Sequence, residues 1–282
     1  MKMNKPNITL HDVFTSCTEN MNDENKNKYA PCFDEIVLAT QDYEKKMEQG
    51  APQDVASCSV VSGLSHTEMG KLYKDKLAKL RQPARKYYDQ IKAGAPRGMC
   101  PYCRQRTVST LDHYCPQAHY ASLVISPSNL VPACAECNKN KLDITFFHQK
   151  ECAFFNPYYE DSDQFIWLKA SLREDLQSDE LTMSFCVDPP DECDLITRKR
   201  LGHQFIKLKL DKLYGIHAAE ELIGVRSRCL RIYKADGPSE VKKSIQESIK
   251  DNEYRPNSWQ AAMYRALDSE WFYDSWLPTK VS

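Results

Sequence analysis

The sequence predicts an α+β chain that is predominantly helical, with one small metal-stabilised unit between N-terminal and C-terminal helical regions. Three observations support this class. Stretches on both sides of the centre repeat apolar residues at helical spacing. The centre, residues 100–141, opens and nearly closes with a Cys-x-x-Cys pair. Short runs of β-type residues lie between the two pairs, so the four cysteines are expected to hold strands and a helix around one ion.

The N-terminal region, residues 1–94, is predicted to be a leader followed by helices with a basic face. Residues 1–30 are polar, rich in asparagine and without periodicity, so we expect a loosely held leader. The apolar spacing of residues 32–48 indicates a helix. Ser65 can cap the next helix, and Pro83 should break that helix before helical spacing resumes.

Residues 95–160 are predicted to form the metal unit. A strand is expected at 107–111, and an apolar run at 121–125 leads into a loop. A helix is expected from about 137 to 147. These segments give a strand, a loop, a strand and a helix around a metal, and the aromatic stretch 154–159 should pack back on them.

Residues 161–282 are predicted to be a helical region that could bind a partner. The run 165–172 is ambiguous between strand and helix. Residues 196–214 are strongly helical, and Gly215 is the expected end of that helix. The remaining patterns are three helices and an aromatic patch, at 218–233, 241–249, 259–267 and Trp271–Trp276.

Charge is distributed unevenly along a chain whose net charge is only −1. Residues 71–106 hold eleven lysines and arginines against two aspartates, a net charge of +9. Residues 157–196 hold eleven acidic residues against two basic ones, a net charge of −9. The basic block is either a solvated helix face or a surface that follows phosphates, and its position before the cysteines favours the second. The acidic block is expected to face another protein together with the aromatic patch, or to be a solvated loop beside a C-terminal core anchor.

The cysteines and the apolar runs indicate the compartment. Of twelve cysteines, eight are scattered singly, and they are expected to be reduced and packed as small hydrophobes. No signal core opens the chain, and no apolar run reaches membrane-spanning length. We therefore expect a cytoplasmic protein that does not associate with a membrane.

The polar residues between the cysteine pairs are those that phosphodiester hydrolysis needs. Asp112 and Asn138 offer the carboxylate and amide oxygens that a hard cation such as Mg²⁺ or Mn²⁺ prefers. His113 is the natural general base near neutral pH. Asn129 can bond the backbone of a loop and fix how His113 is presented. Structural Zn²⁺ is expected on the four cysteines, which are Cys100, Cys103, Cys134 and Cys137.

Several nearby residues have weaker assignments. His119 is close enough to contact a phosphate but is more simply a loop histidine, and His148 is interpreted as structural. Four basic residues are expected to contact nucleic-acid phosphates: Arg104, Arg106, Lys139 and Lys141.

The pattern Cys-x-x-Cys, Asp-His, Asn-Leu and Cys-x-x-Cys-Asn-x-x-Lys resembles the HNH endonucleases, in the subset with a four-cysteine structural zinc. The resemblance covers about residues 97–145. It implies a ββα-metal fold, His113 as general base, a catalytic cation on Asp112 and Asn138, and Asn129 as the loop-fixing asparagine. The flanking layout is similar to nucleases of prokaryotic anti-phage defence, such as the Septu nuclease, which works beside an ATPase. The acidic block and the aromatic patch are expected to face such an ATPase or a second copy of the chain.

Two function classes remain open at the level of sequence. The first is a metal-dependent endonuclease that cuts DNA or RNA. The second is a zinc-ribbon module that binds nucleic acid or protein without cutting. A binder has no evident need to carry Asp112, His113 and Asn138 together, so the sequence favours the nuclease.

Overall fold

The computed structural model of the chain describes residues 2–141, 149–175 and 180–280. The chain divides into two compact units, Met1–Ser162 and Asp163–Ser282. Helices dominate both units, and each also contains antiparallel strands. The prediction of a predominantly helical α+β chain is therefore confirmed.

The N-terminal segment is folded, which differs from the loosely held leader that we expected. Thr9 caps the first helix by accepting a hydrogen bond from the Asp12 backbone N–H, and Asn22 caps the second in the same way. Val13, Phe14 and Cys17 enter the hydrophobic core of this unit. The caps and this apolar stripe are short signals in a polar segment, and for that reason the leader was predicted instead. The helices are α1 (Leu10–Thr18), α2 (Asp23–Tyr29) and α3 (Cys32–Glu48).

Two predicted features of the next segment are confirmed. Ser65 begins a helix through a capping box in which it and Glu68 bond each other's backbone N–H groups. Helical structure is interrupted around Pro83 and resumes at Arg85. A π-helix at Leu72–Leu77 follows directly on the capped helix. The elements are β1 (Val60–Val61), β2 (Leu64–Ser65), α4 (His66–Lys71) and α5 (Arg85–Ala93).

A two-stranded hairpin followed by a short helix forms the centre of the first unit. Strand β3 (Thr110–His113) pairs antiparallel with β4 (Leu130–Ala133), so Thr110 lies opposite Ala133 and His113 opposite Leu130. The apolar run at 121–125 is not the second strand: it contains the 3-10 turn Ala121–Leu123. Helix α6 (Ala135–Lys141) follows β4 and packs on β3. The remainder of the predicted 137–147 helix, and His148, lie outside the described residues.

The second unit is a β-hairpin covered by helices. The run that was ambiguous is a strand, and α8 and α10 pack on the hairpin. Gly215 does not end a helix. The break falls at Lys209, which adopts a left-handed φ of 53°. The elements are β5 (Leu168–Asp175), β6 (Glu180–Val187), α7 (Leu195–Lys207), α8 (Leu210–Asp236), α9 (Pro238–Asp251), α10 (Trp259–Leu267), the π-helix Trp271–Trp276 and α11 (Leu277–Thr279).

The aromatic patch at the end of the chain is largely core. Phe272, Tyr273 and Trp276 are buried, whereas Trp271 is partly exposed. The Trp276 indole N–H also donates to the carboxylate of Glu174, at 3.1 Å. These three aromatic side chains therefore stabilise the second unit and are not free to bind a partner.

Across the described segments, every helix is too short or too polar to span a bilayer.

Candidate functional site

The two Cys-x-x-Cys pairs come together as one buried cluster. The four sulfur atoms all lie within 4.8 Å of one another, and the Sγ atoms of Cys103 and Cys134 are 4.0 Å apart. Backbone N–H groups of Arg106 and Cys137 donate to the sulfurs of Cys103 and Cys134. Hydrogen bonds of this kind stabilise thiolates, so the cluster could hold a structural metal ion such as zinc.

The residues just after the first cysteine pair, Arg104 and Arg106, lie beside the cysteine cluster. Arg104 adopts a left-handed φ of 55°, which turns the chain back so that the Cys100 N–H reaches the Arg106 carbonyl at 2.8 Å. Burial alone would lower the pKa of Arg106, but the Cys103, Cys134 and Cys137 thiolates raise it above its ordinary value. Arg106 therefore offsets the negative charge of the thiolates.

Asp112, His113 and Asn138 line one cavity of about 510 Å³. The strand register puts His113 at the end of the hairpin away from the cysteines, and α6 runs back along β3 from Cys134. Asn138 thereby reaches the Asp112–His113 end of the strand. The structure thus brings together three residues that the sequence separates by 26 positions.

The imidazole of His113 is held on three sides. Its Nε2 lies 2.8 Å from the Val124 carbonyl oxygen, and its Nδ1 lies 3.1 Å from Nε2 of Gln117. The Tyr73 ring meets it edge-on at 4.4 Å between centroids. A carbonyl can only accept, so Nε2 carries the proton and Nδ1 has the lone pair. Burial lowers the pKa of His113 to about 4, which keeps the ring neutral at pH 7.

Asp112 lies in a buried ion pair with Lys141. The Lys141 ammonium is 3.2 and 3.1 Å from the two carboxylate oxygens, and it also donates to the His113 carbonyl at 2.8 Å. The Tyr102 hydroxyl donates to Oδ2 of Asp112 at 2.8 Å. Lys141 is fully buried and Asp112 is 4% exposed. The carboxylate is thus fixed and neutralised by side chains behind the cavity.

Asn129 is fully buried and bonds the loop that carries the His113 partners. Its Oδ1 accepts from the Cys115 N–H at 2.7 Å. Its Nδ2 donates to the carbonyls of Cys115 and Leu123 at 3.2 and 3.1 Å. Leu123 directly precedes Val124, and the Val124 carbonyl accepts the hydrogen bond from Nε2 of His113. Asn129 therefore fixes the backbone against which the imidazole is set.

The four basic residues expected to contact phosphate lie in different surroundings. Lys139 is exposed and lines the cavity. Arg104 is half-buried and donates to the Ser162 hydroxyl at 2.7 Å, and half-buried Arg106 lies beside the cysteine cluster. Lys141 presents no charge to solvent, because its buried ammonium pairs with the Asp112 carboxylate and donates to the His113 carbonyl. We correct its assignment accordingly, from a phosphate contact to a buried partner of Asp112.

Three residues of the site were not predicted from the sequence: Tyr73, Tyr102 and Gln117. Tyr73 comes from the π-helix, 40 residues before His113, and its hydroxyl donates to the Leu111 carbonyl at 3.3 Å. No spacing rule connects residues this far apart. Tyr102 lies between Cys100 and Cys103 in the sequence, but its contact with Asp112 depends on the folded hairpin.

No family model matches the chain, and no solved structure matches it. The chain is similar to Protein ea31 of Escherichia phage lambda, with 25% identity over 297 residues. That similarity covers 96% of this chain and 98% of the phage protein, so it extends over both units. The name of the phage protein states no activity.

Proposed function

We propose that the protein is a metal-dependent endonuclease of the HNH type, which hydrolyses phosphodiester bonds in nucleic acid with His113 as general base. The observation that carries the proposal is the cavity, where a neutral imidazole, a carboxylate and a carboxamide meet. The arrangement fits the roles that the residue pattern implies.

The state of His113 suits a base. Its Nε2–H donates a hydrogen bond to the Val124 carbonyl, so the lone pair of Nδ1 is the one available to accept a proton from water. The lowered pKa means that the ring is unprotonated at neutral pH, so its lone pair is available to accept a proton. Its proton-accepting strength is correspondingly modest, so the reaction also needs stabilisation of the charge that develops on the phosphate.

Asp112 and Asn138 fit a hard cation by ligand type, since they offer a carboxylate and an amide oxygen on one cavity wall. Such an ion would stabilise negative charge on the scissile phosphate and on the leaving oxygen. Because Lys141 neutralises Asp112, the protein ligands hold no net negative charge. We therefore propose that the cation is held weakly by the free protein and more tightly when a substrate phosphate adds its charge.

Charge near the cavity supports a polyanionic substrate. Lys139 lines the cavity and is exposed. The basic block begins beside Tyr73, another lining residue, and keeps several charges in solvent, among them Lys71, Lys74, Lys79, Arg81 and Lys86. Anti-phage defence and an ATPase partner stay predictions of the resemblance, and a homo-oligomer stays a prediction from the acidic block.

The test offers purified protein supercoiled plasmid, single-stranded DNA and total RNA, each with Mg²⁺, Mn²⁺ or EDTA. The proposal predicts cleavage of at least one substrate, its loss in EDTA, and 5′-phosphate ends. Asn138→Ala is the better test of the cation ligands, because replacing Asp112 would also leave Lys141 buried without its partner. We expect Asn138→Ala to need more Mg²⁺ or Mn²⁺ for the same rate. Metal-independent binding of nucleic acid without cleavage would favour the zinc-ribbon binder instead.

A further inference from the structure

We propose that Gln117 acts through His113 by blocking its free nitrogen: the carboxamide occupies the place of the attacking water until substrate binds. The inference rests on the proposed function, because it concerns when the base can act. It assigns a role to a residue that the sequence pattern of the site does not include.

The geometry points to Gln117 because its amide bonds the one ring nitrogen that can accept a proton. The Nε2 atom of Gln117 lies 3.1 Å from Nδ1 of His113. A water molecule that gives a proton to Nδ1 must approach to about the same distance, roughly 2.6–3.2 Å. The amide and the attacking water therefore compete for the same lone pair on Nδ1 of His113.

The carboxamide stands where an entering substrate would meet it. Gln117 is half-buried in the loop after β3, and it lines the cavity that substrate would enter. The imidazole itself would stay in place, because Val124 and Tyr73 hold its other sides. Displacing Gln117 thus exposes Nδ1 while the orientation of the base is kept.

Gly70 of helix α4 makes room for this resting position. A Cβ atom added at Gly70 would lie 3.3 Å from Oε1 of Gln117. That distance is tighter than an ordinary van der Waals contact, so an alanine there would push the carboxamide away by a few tenths of an ångström. Gly70→Ala therefore perturbs the position of Gln117 while leaving Gln117 itself unchanged.

The experiment measures kcat/KM, from cleavage rates at substrate concentrations well below saturation, for the zinc-loaded full chain and for Gln117→Ala, Gly70→Ala and the control Gln90→Ala. Gln90 is an exposed glutamine of α5. Removing one neutral hydrogen bond should raise the rate roughly 2- to 10-fold in Gln117→Ala. Gly70→Ala should give a smaller increase, and Gln90→Ala should give the parent rate.

A second readout is independent of cleavage. In histidine-selective ¹⁵N NMR, the Nδ1 resonance of His113 should move toward that of a free unprotonated nitrogen in Gln117→Ala, and stay unchanged in Gln90→Ala. A slower Gln117→Ala protein would overturn the inference, since the amide would then orient the water. An unchanged rate or an unchanged Nδ1 resonance would overturn it as well. If the parent itself cuts no substrate, the proposed function fails and the inference falls with it.

Discussion

The cysteine cluster and the His113 cavity share one hairpin, yet they are assembled by different means. The cluster takes all four side chains from the two Cys-x-x-Cys pairs, and each pair has its own N–H···S hydrogen bond. The cavity takes its supporting groups from the π-helix, the first Cys-x-x-Cys pair, two loops and α6. Local spacing therefore determines the first site, whereas tertiary packing determines the second. The cluster should therefore stabilise the fold, whereas the cavity should perform the reaction.

The largest effect is expected from loss of the cluster. Cys134→Ser should abolish metal binding and unfold the first unit, because metal-binding free energy is folding free energy at such sites, roughly 10–16 kcal/mol in zinc-finger peptides. Elemental analysis and circular dichroism measure both consequences. Cys152→Ser is the matched control, since that half-buried cysteine is not part of the cluster. A folded Cys134→Ser protein would show that the hairpin does not depend on the metal.

The contrast between the two sites explains how far the sequence could be interpreted. The cysteine positions followed from their spacing, and the helix at 32–48 and the Ser65 cap followed from local patterns. The Lys141 interaction with Asp112 did not, because a lysine three residues after Asn138 has the same pattern whether its ammonium points to solvent or into the core. No strand was predicted at 130–133, a segment whose Pro132 cannot donate a ladder hydrogen bond. At this edge of a two-stranded sheet, however, Pro132 lies opposite Leu111 and needs to donate no ladder bond of its own.

A smaller effect is expected from the ion pair behind the cavity. Lys141→Met leaves the Asp112 carboxylate buried without its counter-charge, and breaking such a pair typically costs about 3–5 kcal/mol of unfolding free energy. Denaturant unfolding measures the loss. The double variant Asp112→Asn with Lys141→Met should recover most of it, because neither charge remains. If Lys141→Met is as stable as the parent, the ion pair contributes nothing to the fold.

The smallest effect is a dependence on pH. The folded-state pKa of His113, about 4, lies below the ordinary value of 6.5. A depressed histidine pKa stabilises the folded state fully above about pH 6.5, and the stabilisation is lost as the pH falls toward 4. Stability measured by denaturant should therefore decline between these values, and the decline should be smaller in His113→Ala. The acid limb of cleavage should lie nearer pH 4 than pH 6.5, and a limb centred at 6.5 would contradict the burial of the base.

The most direct test of the central claim measures single-turnover cleavage and zinc content in the same preparations of the parent, His113→Ala and His119→Ala. His119 is a half-buried histidine of the same loop that does not line the cavity. If the cavity performs the chemistry and the cluster maintains the fold, His113→Ala loses roughly 10²- to 10⁴-fold in rate at unchanged zinc content. His119→Ala should retain the parent rate and the parent zinc content. A His113→Ala protein that cuts as fast as the parent would contradict the assignment of this cavity as a nuclease site.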